Sequence, residues 1–117
     1  MKYLCLIYSD ETQWQKLPKT ETDKMMGEFF NFTDSIKASG HYLGSNRLQP
    51  TPAATTVRIR DGKLSTTDGP FAETREQIGG IMVLEATDLN HAIALMSQLP
   101  CMRLGGSLEI RPINENL

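Results

Sequence analysis

The first eight residues set the tightest limit on what this chain can become. In Lys2-Tyr3-Leu4-Cys5-Leu6-Ile7-Tyr8 the apolar residues fall on both odd and even positions. A strand made from it therefore presents apolar side chains on both faces. Such a strand belongs in the middle of a sheet that is covered on two sides. The run is far shorter than the roughly 20 residues of a membrane span, and no small-residue cleavage site follows it. The expectation is a cytoplasmic protein with no membrane contact.

Downstream, two helical patterns alternate with strand patterns. Thr20 stands three residues before Asp23, which predicts a capping-box start after a loop holding Trp14 and Pro18. Met25, Phe29, Phe32 and Ile36 then recur at helical spacing, with Met26, Phe30 and Thr33 on the flank, until Gly40 closes the helix. His41 to Gln49 reads as a strand ended by Pro50 and Pro52. Thr55 to Arg60 alternates, and Asp61-Gly62 predicts a tight hairpin in which Lys63 to Thr67 returns along it.

Gln77 to Glu85 is a further strand, whose Gly79-Gly80 pair predicts a bulge or a close backbone approach. Asp88 caps a second helix with Leu89, Ala92, Ile93, Met96 and Leu99 on one face, stopped by Pro100. A strand from Gly106 to Pro112 ends the chain. Without the inserted hairpin the order is β-α-β-β-α-β, the ferredoxin-like α+β arrangement of two helices on one antiparallel sheet. Helices on one face leave the other apolar face uncovered, and a homodimer packed face to face is the expected solution.

Composition narrows function mainly by exclusion. At 117 residues the chain has room for one domain, and 39% hydrophobic with 22% charged residues describes a globular protein. A net charge of -2 without a Lys/Arg stripe argues against direct nucleic-acid binding. Cys5 and Cys101 lack the C-x-x-C spacing of zinc or redox centres and read as packing residues. Neither His41 nor His91 has a carboxylate or thiolate at ligand spacing, and no glycine-rich loop opens a helix. No metal and no cofactor are expected.

Thr67-Asp68-Gly69-Pro70-Phe71-Ala72-Glu73-Thr74-Arg75-Glu76 gathers two backbone-restricting residues, an aromatic ring and several charges between two strand patterns. Pro70 fixes its own φ and holds Gly69 out of the helical region, so the segment reads as a rigid extended turn. The opening Met1 to Tyr8, Leu48-Gln49-Pro50, Ala54 to Arg58, Asp68-Gly69-Pro70-Phe71-Ala72-Glu73-Thr74, Gly79-Gly80 and Glu109-Ile110-Arg111-Pro112 occur in this order. Together they resemble the YCII-related family, in its DGPF-domain branch, nearly end to end. The resemblance implies a ferredoxin-like dimeric α/β barrel, with two sheets packed across a two-fold axis. It also implies an enzyme-like cleft in which a His and an Asp lie near one another, and a link to extracytoplasmic-function sigma factors.

On the residues themselves, His41 and Asp68 are the candidate acid–base pair, since a carboxylate on one ring nitrogen fixes the tautomer of a general base. The competing reading gives them local jobs, His41 at a helix end and Asp68 in its turn. Tyr8, Tyr42 and Phe71 are candidate walls of a small-molecule pocket, with Ser9 and Asp10 at its mouth and Glu73 setting charge preference. Core or dimer contact competes for Phe71, and exposed ion pairing for Glu73. Two functions stand side by side: an enzyme-like protein acting on a small molecule, and a non-catalytic ligand-sensing or regulatory module with a sigma-factor partner.

Overall fold

In the computed structural model, which describes residues 1–116, the doubly apolar first strand lies inside the sheet. β1 (Lys2–Ser9) pairs antiparallel with β5 (Gln77–Glu85) on one side and β6 (Ser107–Pro112) on the other. β2 (Tyr42–Arg47) adds to the outer edge of β5, giving the order β2-β5-β1-β6. With α2 (Lys19–Ala38) and α3 (Leu89–Met96) as the crossover helices, this is the ferredoxin-like α+β arrangement. The sheet does not close into a barrel within the chain. β3 (Thr55–Arg60) and β4 (Lys63–Asp68) form a separate two-stranded ribbon.

The core lies between the sheet and the helices. Tyr3, Cys5 and Ile7 of β1 are buried on this side, where Cys5 faces Met82 and Ile110 in register. Met82, Leu84, Met96 and Leu99 complete the fully buried set, to which α2 contributes Met25, Phe32 and Ile36. Each such side chain contributes roughly 1.5–3 kcal/mol through removal from water. Leu4, Leu6 and Tyr8 project from the opposite face beside Ile81 and Val83, and no helix covers them. The double apolar character of β1 is thus used on one face inside the chain and left half-buried on the other.

Several local expectations hold. Asp61 (φ 51) and Gly62 (φ 75) both take positive φ, the conformation of a two-residue hairpin turn. Gly40 (φ 81) ends α2 in a Schellman motif: its N–H donates to Lys37 O, and the His41 N–H to Ile36 O. The Gly79-Gly80 pair provides both predicted features. The β1/β5 register shifts between Ile7 and Tyr8, leaving Gly79 as the bulged residue, while a Cβ on Gly80 would lie 3.1 Å from Asn46 O.

Other expectations are corrected. The segment after β1 is a short helix, α1 (Glu11–Lys16), rather than a loop; Asp10 caps it by accepting from the Thr12 N–H and hydroxyl. Thr20 does not cap α2, which starts at Lys19 behind Pro18 with no side-chain cap. Pro18 supplies the φ and the chain direction, and the Thr22 hydroxyl donates back to its carbonyl. α3 ends at Met96, and Pro100 opens a following 3-10 turn (Pro100–Leu104) instead of stopping the helix. Leu89 and Ile93 therefore remain about half exposed, while Ala92 and Met96 are buried. Among the described residues no helix is long and apolar enough to cross a membrane.

Candidate functional site

At the end of the sheet where β1 runs out and β5 begins, the helices do not close onto the strands. A cavity of about 490 Å³ remains there. Its floor is made by the ends of three strands: Ile7 and Ser9 of β1, Ser45 to Arg47 of β2, and Gly79 to Ile81 of β5. The two glycines leave room above the strands, since a Cβ on Gly79 would already touch the Ser9 hydroxyl at 3.4 Å. Met25, Met26 and Phe29 of α2 form one wall, and Trp14 of α1 another. Pro100 and Cys101 close the back.

α1 is held over the cavity by its first residue. The Glu11 carboxylate accepts from the Thr51 N–H (2.9 Å) and from the Thr51 hydroxyl (2.7 Å). This ties α1 to the segment that follows β2. Asp10 keeps the helix capped, and its carboxyl is held below the usual carboxylate range chiefly by the hydrogen bond from the Thr12 hydroxyl. Opposite, Arg47 Nη1 lies 3.2 Å from Met26 Sδ, a weak acceptor. Cys101 is half-buried, and removal from water pushes its thiol pKa up. The same effect drives the buried Cys5 thiol from 9.0 to about 11.

The residues expected to carry chemistry are dispersed. Ser9 lines the cavity, and Asp10 sits at its edge as the α1 cap. Tyr42 contributes indirectly: its hydroxyl is 2.7 Å from the hydroxyl of Ser45, a lining residue. Tyr8 points to the uncovered face of the sheet, away from the cavity. Phe71 is 78% exposed, with the Arg58 guanidinium 5.1 Å above its ring, and so forms no pocket wall within the chain. Glu73 is exposed and lies outside the lining.

His41 and Asp68 are not brought together within the chain. His41 precedes β2 at the Glu85 end of the sheet, where Nδ1 is 2.9 Å from Glu85 O and the ring stands edge-on to His91 at 4.7 Å. Asp68 ends β4 opposite Thr55, at the base of the hairpin, which leaves from the Arg47 end of β2. His41 thus lies just before the Tyr42 end of β2, whereas the hairpin that carries Asp68 follows its Arg47 end. Among the described residues no cluster of three or more His, Cys, Asp or Glu has metal-holding geometry.

The sequence pattern does not mark Glu11, Trp14, Met26, Arg47 or Cys101 as site residues: Trp14 reads as part of a loop, Met26 as the flank of a helix and Cys101 as packing. The signal for α1 was present in Asp10 followed by Glu11 and Thr12, an N-cap pattern with an acid in the first turn. The α2 signal was the width of its apolar sector. Met25, Met26 and Phe29 extend it beyond the stripe needed to cover a sheet.

The profile of the YCII-related domain matches residues 1–116. An uncharacterised protein of Rhizobium meliloti (strain 1021) is 32% identical over 114 residues, covering 97% of this chain and 92% of that protein. On the strength of that match and that relative, the chain belongs to the YCII-related family.

Proposed function

We propose that this protein is a homodimeric small-molecule-binding protein whose ligand site is the cavity between α1, α2 and the strand ends. The cavity itself carries the reading. About 490 Å³ falls inside the roughly 300–1,000 Å³ range of small-molecule sites, and apolar walls with a few polar groups at the rim are the usual composition of such sites. Trp14, Met26 and Phe29 supply adaptable and aromatic surface; Ser9, Glu11 and Arg47 supply polarity. Acid–base chemistry by His41 with Asp68 forms no part of the proposal, since His41 precedes β2 beside Glu85 and Asp68 ends β4 in the separate hairpin.

The dimer part of the proposal rests on surface left over. Leu4, Leu6, Tyr8, Ile81 and Val83 form an apolar sheet face without helices, and a second copy laid face to face covers both faces at once. This is the dimeric barrel that the family resemblance implies. The binding part is tested by screening a fragment library by NMR against protein labelled at the methionine methyls and the Trp14 indole. Hits that shift Met25, Met26 and Trp14 are expected. Hits that perturb only the uncovered sheet face, or none of these groups, contradict the site.

A further inference from the structure

Among the described residues the cavity has one basic side chain, and that side chain makes no ion pair. Arg47 is the only Lys or Arg in the lining among the described residues. The three ion pairs among the described residues join the N-terminal amine to Glu85, Arg103 to Glu28 and Arg111 to Glu109. Arg47 has instead the Met26 thioether, which accepts weakly and leaves the guanidinium's remaining N–H donors open. The acid in the lining, Glu11, is already engaged: both of its oxygens accept from Thr51. A cation with spare donors beside an apolar cavity, with the local carboxylate occupied elsewhere, selects for a negative group on an apolar body.

From this we infer that the ligand is a small apolar carboxylic acid, its carboxylate on Arg47 and its chain or ring among Trp14, Met25, Met26 and Phe29. This rests on the binding reading above and adds the charge of the ligand. The planar guanidinium fork matches a carboxylate with two parallel N–H···O bonds. A single fixed positive charge suits a monoanion, and no lysine in the lining offers the second charge that a phosphate dianion would draw. Arg47 is anchored by its backbone at the end of β2 and its side chain is exposed at the cavity. It lies opposite Gly80 in register, where the missing side chain lets the β2 backbone approach closely.

The test uses three probes of equal length that differ only in the head group: decanoate, decanol and decylamine, each below its micelle concentration. Trp14 is the only tryptophan in the chain, so its emission reports binding directly. Decanoate is expected to bind about tenfold more tightly than decanol, as a charge-assisted hydrogen bond predicts. Arg47→Gln is expected to bring decanoate to the level of decanol while leaving decanol unchanged, with Arg47→Lys between. If decanol binds as tightly as decanoate, or decylamine binds best, the charge assignment is overturned and the cavity remains a binding site. If none of the three binds, the binding reading falls with it.

Discussion

At the residue scale, burial sets how the two thiols behave. Cys5 is fully buried beneath α2 and α3, and desolvation lifts its thiol to about 11. The folded protein therefore keeps this proton where the unfolded chain, near 9.0, gives it up. Stability linked to Cys5 is complete below pH 9 and is lost as pH rises toward 11, by on the order of 2 kcal/mol. Denaturant titrations between those pH values are expected to show this loss in the natural protein, with a shallower slope in Cys5→Ala. Cys101 differs because it borders the cavity. Its raised pKa makes it slower than a free cysteine toward iodoacetamide at pH 8, and decanoate is expected to slow it further while leaving Cys5 unaffected.

His41 shows where residue-level reading stops. Its place after Gly40 was legible, because Gly40 as a helix terminator forces a strand to begin there. Its neighbour was not, because His91 comes from a helix fifty residues later and the edge-on stacking at 4.7 Å is a tertiary result. His91→Ala is expected to shift the His41 ring-proton resonances by removing that ring, whereas Asp68→Asn leaves them in place. A shift on Asp68→Asn and none on His91→Ala would contradict the geometry.

At the scale of elements, strands were easier to read than helix boundaries. Strand patterns need only alternation and a turn signal, and Asp61-Gly62 fixed the β3/β4 register by itself. Helix starts depend on which donor satisfies the first N–H groups. Asp10 and Thr20 both qualify by type, and only Asp10 is used. The consequence for function is large, since α1 roofs the cavity and is latched by Glu11 to Thr51. Thr51→Val is expected to loosen the latch, removing the hydroxyl donor while the backbone N–H bond to Glu11 stays, and so to raise acrylamide quenching of Trp14 and weaken decanoate binding severalfold without changing the overall fold. Asp10 lies below the ordinary carboxylate value of 3.8. Its cap is therefore complete above that value and is lost as pH falls through the lowered one.

β6 carries a second element-level prediction. A Cβ on Gly106 would stand 2.8 Å from Tyr8 O, a backbone atom that cannot move aside without breaking the β1/β6 ladder. Gly106→Ala is expected to cost about 1–3 kcal/mol, as overpacking does, measured by urea denaturation. Leu84→Ala, at a fully buried core position, is expected to cost about 2–5 kcal/mol through the cavity it leaves.

For the whole molecule, the radius of gyration is 16.2 Å, against about 13 Å for a compact chain of this length. The excess comes from an open sheet and a projecting hairpin. On the hairpin, Val57, Ile59 and Leu64 share one face and are 58%, 73% and 69% exposed. The ferredoxin-like order was legible because each connection follows from local pattern. The cavity was not, because it forms where the ends of three strands and two helices fail to meet. No single segment carries that information.

Native mass spectrometry of the protein with decanoate addresses the dimer and its site in one experiment. The account predicts a species at twice the 13.1 kDa chain mass that takes up two decanoates, one per subunit. A monomer at micromolar concentration that retains no decanoate would contradict it.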